Sequence, residues 1–340
     1  MLSPISWALG IVAFTLLGFR SAPPQALCFH PLRGLKKSIL VKMSGTLETT
    51  SSATAGDKLK FVGPRRTSVI RPPSFSLRNL RGDLIKLWQY RDLLYTLSVH
   101  RIQVRYKQSL LGVLWAILQP LSMMLIFTFI FSLIARMPRE GAPSYAIFLY
   151  TALLPWNYFS TAVGNATNSL VSHSQFVTKV YFPREILPIT YVVAALFDFV
   201  VAATLLVGLM IYYHVRPTAN AFYAIPIILI LSCFALAMSL LLSATQVRIR
   251  DVGVAVPLLL QLWLFATPII YPLSAVPARL RPLYMLNPMV GVIENFRQVI
   301  LRGAPPDFRS LSVSALVSVV LLFLSYLYFK RVEATMADVI

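Results

Sequence analysis

Six stretches of this chain are each long and apolar enough to cross a bilayer, near residues 111–135, 145–165, 186–213, 222–245, 253–272 and 311–329. Hydrocarbon offers no water to backbone N–H and C=O groups, so an isolated run of about 20 apolar residues has to close its hydrogen bonds internally, as a helix. The pattern predicts an all-α integral membrane protein with about six transmembrane helices. Composition agrees, with 13% charged residues where soluble domains carry about 25%. Pro120, Pro155, Pro226, Pro257 and Pro268 fall inside these stretches. Carbonyls freed by proline need neighbouring helices or a wet cavity, which suits a gated pathway better than a passive anchor.

Lysine and arginine placement orients the spans. With the amino end of the first span inside, the inner pieces from residue 81 onward hold twelve Lys/Arg and the outer pieces eight. Five of those eight lie in one segment, 273–310, which is also apolar (Leu283, Met285, Leu286, Met289, Val290, Ile293, Phe296). That segment reads as re-entrant helices before the last span, tolerated at membrane depth when packed on protein. Residues 331–340 form an inner tail.

Residues 1–80 differ in kind. An apolar run at 2–19 precedes a Ser/Thr/Pro/Gly-rich stretch, and the eighty residues carry eleven Lys/Arg against Glu48 and Asp57, or +9 of the chain's +19. Such a composition predicts a disordered basic arm against an anionic membrane surface. The opening run reads either as a seventh span or as sequence ahead of a true start at Met43. No basic patch alternates with stacking aromatics outside the spans, so nucleic acid is set aside. Cys28 and Cys233 allow neither a disulfide framework nor a zinc site, and no metal site is expected.

Between the arm and the first span, residues 81–110 have a helical pattern, with Leu84, Leu87, Trp88, Leu94 and Tyr95 among Lys86, Arg91, Arg101 and Arg105. An amphipathic helix of this kind lies in the membrane interface. Arg101, Arg105, Tyr106 and Lys107 mark a site where an anionic headgroup approaches the first span; the plainer alternative is a positive-inside anchor. Asp198 sits mid-span, where a carboxylate needs a partner or water.

At Arg105-Tyr106-Lys107-Gln108-Ser109-Leu110-Leu111-Gly112, followed by Trp115 and Gln119-Pro120-Leu121, the sequence resembles the permease subunit of type 2 ABC exporters of polysaccharides and polyol-phosphate polymers, including O-antigen and capsule exporters. Leu154-Pro155-Trp156, Lys179-Val180-Tyr181-Phe182-Pro183-Arg184, Arg248-Ile249-Arg250-Asp251, Gln261-Leu262-Trp263, Pro268-Ile269-Ile270-Tyr271-Pro272 and Leu286-Asn287-Pro288-Met289 follow in the family's order. The resemblance covers about residues 80–330 and implies an ATP-driven exporter of lipid-linked polysaccharide in a bacterial inner membrane. It implies a permease homodimer with two copies of a separate ABC ATPase subunit, which holds the ATP and Mg. This chain would bind no cofactor itself, and it has no G-x-x-x-x-G-K-[ST] phosphate loop.

On the same resemblance, the loop between the second and third spans is the coupling element to the ATPase, with Phe176, Val177, Lys179, Tyr181, Pro183 and Arg184, joined by Arg250 and Asp251. A polymer needs sliding surfaces, which points to Trp115, Phe127, Trp156, Phe159, Trp263 and Tyr271 as channel-lining aromatics; packing is the alternative for each. A small-lipid or drug exporter of the same superfamily is a second reading. A membrane glycosyltransferase is weaker, since its metal or base chemistry needs clustered acids and the ten from residue 81 onward are scattered.

Overall fold

The computed structural model describes residues 80–107, 109–134 and 142–336. The basic arm, the apolar run at 2–19 and the last four residues lie outside them. Every regular element among the described residues is helical.

Two helices precede the spans, α1 (Leu80–Gln89) and α2 (Arg91–Tyr106), broken at Tyr90. The expected single interface helix is therefore two pieces, and the second packs along α7. A turn through Gly112, at φ +50, leads into a short 3-10 segment and α3 (Trp115–Thr128), which ends in a π turn at Phe129–Ile134. Such positive φ costs an L side chain free energy that glycine does not incur.

After α3 come α4 (Tyr145–Thr167), the short α5 (Ser169–Ser172) and α6 (Ser174–Lys179), then α7 (Ile186–Tyr212) and α8 (Ala224–Arg248). Next are α9 (Val252–Ala266), α10 (Arg281–Met285), α11 (Pro288–Leu301) and α12 (Phe308–Glu333). Among the described residues four helical stretches are long and apolar enough to cross a membrane: Gly112–Ser132, Ile186–Tyr212, Ala219–Arg248 and Phe308–Glu333. The chain is a multi-pass membrane protein.

The other two predicted spans differ from these in instructive ways. Helix α4 has 23 residues but sits at the centre, buried almost all round by α3, α7, α8, α9 and α11. Its polar residues are tolerable because its surroundings are protein. Helix α9 stops at Ala266, short of the expected 272, with 15 residues. At 1.5 Å per residue that is about 22 Å, less than the roughly 30 Å hydrocarbon core. Pro268 explains the stop, since it disfavours helix at Thr267 and removes a donor.

The far end of the bundle is built around Arg297 on α11. Its guanidinium, 3% exposed, donates to the carbonyls of Phe148 (3.3 Å), Pro268 (2.8 Å) and Ile269 and lies over the Phe148 ring. The carbonyls beyond α9 thus find a donor inside the protein. Asn287 caps α11 through Met289 N–H at 3.1 Å, with Pro288 in its first turn. Gly291 lets α11 cross α12 at Ser314, where a Cβ would lie 2.1 Å from the hydroxyl. The apolar 273–310 segment predicted as re-entrant helices is this α10–α11 region.

Candidate functional site

The near end gathers the linker between α4 and α7. Within it Phe176 (53% exposed), Lys179, Val180 and Tyr181 (81% exposed) face outward. Val177, expected to share that outward face, is buried with Leu170, Phe182, Leu240, Ala244 and Phe329. Pro183 and Arg184 are half-buried. The Arg184 guanidinium donates to the Glu333 carbonyl at 2.6 Å, so it is engaged by the end of α12.

Beside it, Lys330 donates to Glu185 at 2.7 Å and to Glu333 at 2.9 Å. Burial, and then the nearby Glu333 carboxylate, push the Glu185 carboxyl above its ordinary range, against the pull of Lys330. Arg250 and Asp251 are exposed where α8 hands over to α9; Asp251 supplies its backbone carbonyl to Val254 and Ala255. The two do not pair with each other.

A second group lies between α2 and α7. Arg101 donates to Thr190 at 2.8 Å and stacks over the Tyr191 ring at 3.4 Å. Its charge also opposes protonation of His173 in the linker; burial is the larger cause of the lowered His173 pKa. Four residues on, Arg105 pairs with Asp198, and the Tyr106 hydroxyl donates to the same carboxylate. Burial, followed by the Asp198 charge, raises the Tyr106 phenol, so it remains a donor.

Asp198 is twelve residues past Ile186 on α7, about 18 Å along the axis. The mid-span carboxylate thus has two partners, both from the group proposed to meet a headgroup. Lys107 is exposed and outside this cluster. The cluster lines a cavity of about 190 Å³ together with Trp115, Gln119, Asn157, Tyr158 and Thr161.

The aromatics divide. Trp115, half exposed, borders that cavity. Phe127 meets Phe131 edge-on at 6.0 Å. Trp156 and Phe159 are buried, and Phe159 stacks on Phe234 at 5.0 Å with Trp263 edge-on at 5.4 Å. Trp263 also borders an apolar groove with Met238, Leu283 and Leu286. Tyr271 donates to the Phe265 carbonyl at 3.0 Å and meets the Tyr284 hydroxyl at 3.2 Å. Within one protomer Trp156, Phe159 and Trp263 form a packed cluster. Among the described residues no group of His, Cys, Asp or Glu has the arrangement of a metal site.

Sequence reasoning left unrecognised Thr190, Tyr191, Gln119, Asn157, Lys330 and Glu333. Lys330 and Glu333 carried a signal as charges near the end of the final span, and Gln119 stood in a family motif without being assigned a role.

The model of the ABC-2 type transporter family matches residues 92–301. The chain belongs to that family. An O-antigen export system permease protein RfbA from Myxococcus xanthus is 35% identical over 255 residues, covering 74% of this chain and 97% of that protein. Two proteins of the same name from Klebsiella pneumoniae are 28% and 27% identical over 250 residues, with 95% of each covered. In this ABC-2 permease family the ATPase activity resides on a separate ABC subunit. The matched region begins at α2 and ends with α11, so it takes in the Arg105–Tyr106–Asp198 group and the linker but not Lys330 and Glu333 on α12.

Proposed function

We propose that the chain is the membrane permease of an ATP-driven exporter that moves a lipid-linked polysaccharide of the O-antigen kind out across a bacterial inner membrane. The observation that carries this reading is the match to relatives bearing the O-antigen export name over nearly their whole length. The permease works as a homodimer with two ATPase subunits, which hold ATP and Mg. The amino end of α3 and the 168–185 linker face the cytoplasm.

On this reading the exposed patch of Phe176, Lys179 and Tyr181 receives the ATPase subunit, with Arg250 and Asp251 beside it. Motion of the linker passes to α7 and α12 through Glu185, Lys330, Arg184 and Glu333, whose contacts cross between those elements. Lys107 stays free to meet the anionic link between lipid and sugar, while Arg105 and Tyr106 meet it only by leaving Asp198. The decisive experiment disrupts the chromosomal gene and follows the polymer. Retention of lipid-linked polysaccharide on the inner face, with loss of surface polymer and rescue by the intact gene, is expected. Undiminished surface polymer would overturn the reading.

A further inference from the structure

The cavity between α2, α3, α4 and α7 holds more polar chemistry than the fold uses. Arg105 and Tyr106 are directed at Asp198. Around them Gln119, Asn157 and Thr161 line the space; the amide nitrogen of Asn157 is buried and finds no hydrogen-bond partner, Thr161 is half-buried, and Gln119 reaches the surface. Asn157 and Thr161 stand four residues apart on α4, the most enclosed helix of the bundle, so they share a face. Leaving the buried Asn157 amide nitrogen unsatisfied is costly, and charged or polar residues at membrane depth mark sites by default.

The electrostatics narrow what fits. The cationic and anionic side chains lining the cavity, Arg105 and Asp198, neutralise each other. A phosphate entering would have to take Arg105 from Asp198 and would then face an uncompensated carboxylate. A neutral molecule that both donates and accepts hydrogen bonds meets no such penalty. Asp198 accepts, Asn157 Nδ2 donates, and Gln119 and Thr161 do either. The same space carries aromatic surface from Trp115, Tyr158 and Phe199. A ring with hydroxyls at its rim and C–H groups on its faces matches both features.

We propose that this cavity is a binding subsite for a single uncharged sugar ring, within one protomer and beside the first span. Its volume of about 190 Å³ admits one such ring. The inference rests on the polysaccharide-export reading for its biological context, but the binding itself is a property of this chain alone. A ring held here would sit beside Arg105 and Tyr106, at the end of α2 that leads into the first span.

The test uses the full chain in lipid nanodiscs and follows its thermal unfolding with methyl glycosides of glucose, N-acetylglucosamine, mannose and rhamnose, and separately with inorganic phosphate and pyrophosphate. At about tenfold the dissociation constant, a bound glycoside should raise the midpoint by roughly 3–6 °C. Ala116→Leu, which fills the cavity, should abolish the rise, and Thr161→Val, which keeps the volume, should weaken binding several-fold. The proposal is overturned if no glycoside gives a saturable rise, if the rise survives Ala116→Leu, or if the anions protect through the same cavity. Thr161→Val keeps the test decisive should Ala116→Leu unfold. Gene disruption separates the two readings: polymer retained inside with no glycoside binding removes the subsite only, whereas continued export removes the exporter reading whatever the cavity binds.

Discussion

Replacing Lys330 by methionine isolates what the near-end charge cluster contributes. The Glu185 side chain is 2% exposed and the Lys330 side chain 15%, at 2.7 Å, with Glu333 also on Lys330 at 2.9 Å. Removing one member of a buried pair strands the other, at about 3–5 kcal/mol. Methionine retains the aliphatic stem, so little of the loss comes from packing. The lower end, about 3 kcal/mol, is expected because Glu185 can relieve its isolation by taking a proton. Burial already raises its carboxyl, with Glu333 adding to the shift.

The sign of the pH dependence follows from that shift. A carboxyl whose folded pKa exceeds its unfolded value, about 4.3, loses stability as pH rises through the folded value. The Lys330→Met defect should therefore be full at neutral pH and shrink toward pH 5. Glu185→Gln in the same background should recover most of the loss, since a neutral amide needs no counter-charge. Thermal unfolding in nanodiscs should show a fall of roughly 6–12 °C for the single variant. A single variant within about 1 kcal/mol of the parent, or a double variant no better than the single, would mean that the cluster is too well hydrated for this reasoning.

Three further outcomes are expected. Phe176→Glu should leave the unfolding midpoint unchanged and abolish permease-stimulated ATP hydrolysis in the assembled exporter, whereas Val177→Glu, at a position 3% exposed, should destabilise the permease by at least about 3 kcal/mol. Gly291→Ala should cost about 1–3 kcal/mol by overpacking, because its Cβ would meet the Ser314 hydroxyl at 2.1 Å and the Ser310 carbonyl at 3.0 Å. Ser314→Ala should restore only part of that in unfolding measurements, since the backbone carbonyl cannot withdraw. His173 has its pKa lowered by burial and then by Arg101, so the stability it supports is present above about pH 6.5 and lost as pH falls below it. His173→Gln should flatten the unfolding midpoint across that range.

How much of this was legible in the sequence depends on whether the signal was local. Four of the six expected spans were, because about 20 apolar residues in a row have one solution in hydrocarbon. The early end of α9 was missed, because the apolar run through Tyr271 hid the stop at Pro268. The central position of α4 was not legible either. Its Asn157, Ser160 and Thr161 lower its apolarity and resemble a poor span, yet they mark the helix that never needs to face lipid. Val177 and Phe176 are adjacent and similarly apolar, and nothing in a six-residue helix tells which one turns inward. The pairing of residue 105 with residue 198 is non-local, but an intramembrane carboxylate requires a partner, and the basic run just before the first span was a short list to search.

That pairing changes what α2 can do. Read as a belt of free cations, α2 would hold an anionic headgroup by charge alone. With Arg101 on Thr190 and Tyr191, and Arg105 and Tyr106 on Asp198, its polar contacts fasten it along α7. Helix α7 is in turn tied at its foot to α12 through Glu185 and Lys330, and Arg101 acts on His173 in the linker. Under the proposed function, a push on Phe176 and Tyr181 therefore meets α7 first and α2 directly after it. Because α2 and α7 are two walls of the polar cavity, any shift between them changes the spacing of Arg105 and Asp198. Under the proposed function, the cation expected to meet substrate does so from a pair with Asp198, and the geometry of α7 sets the spacing of that pair.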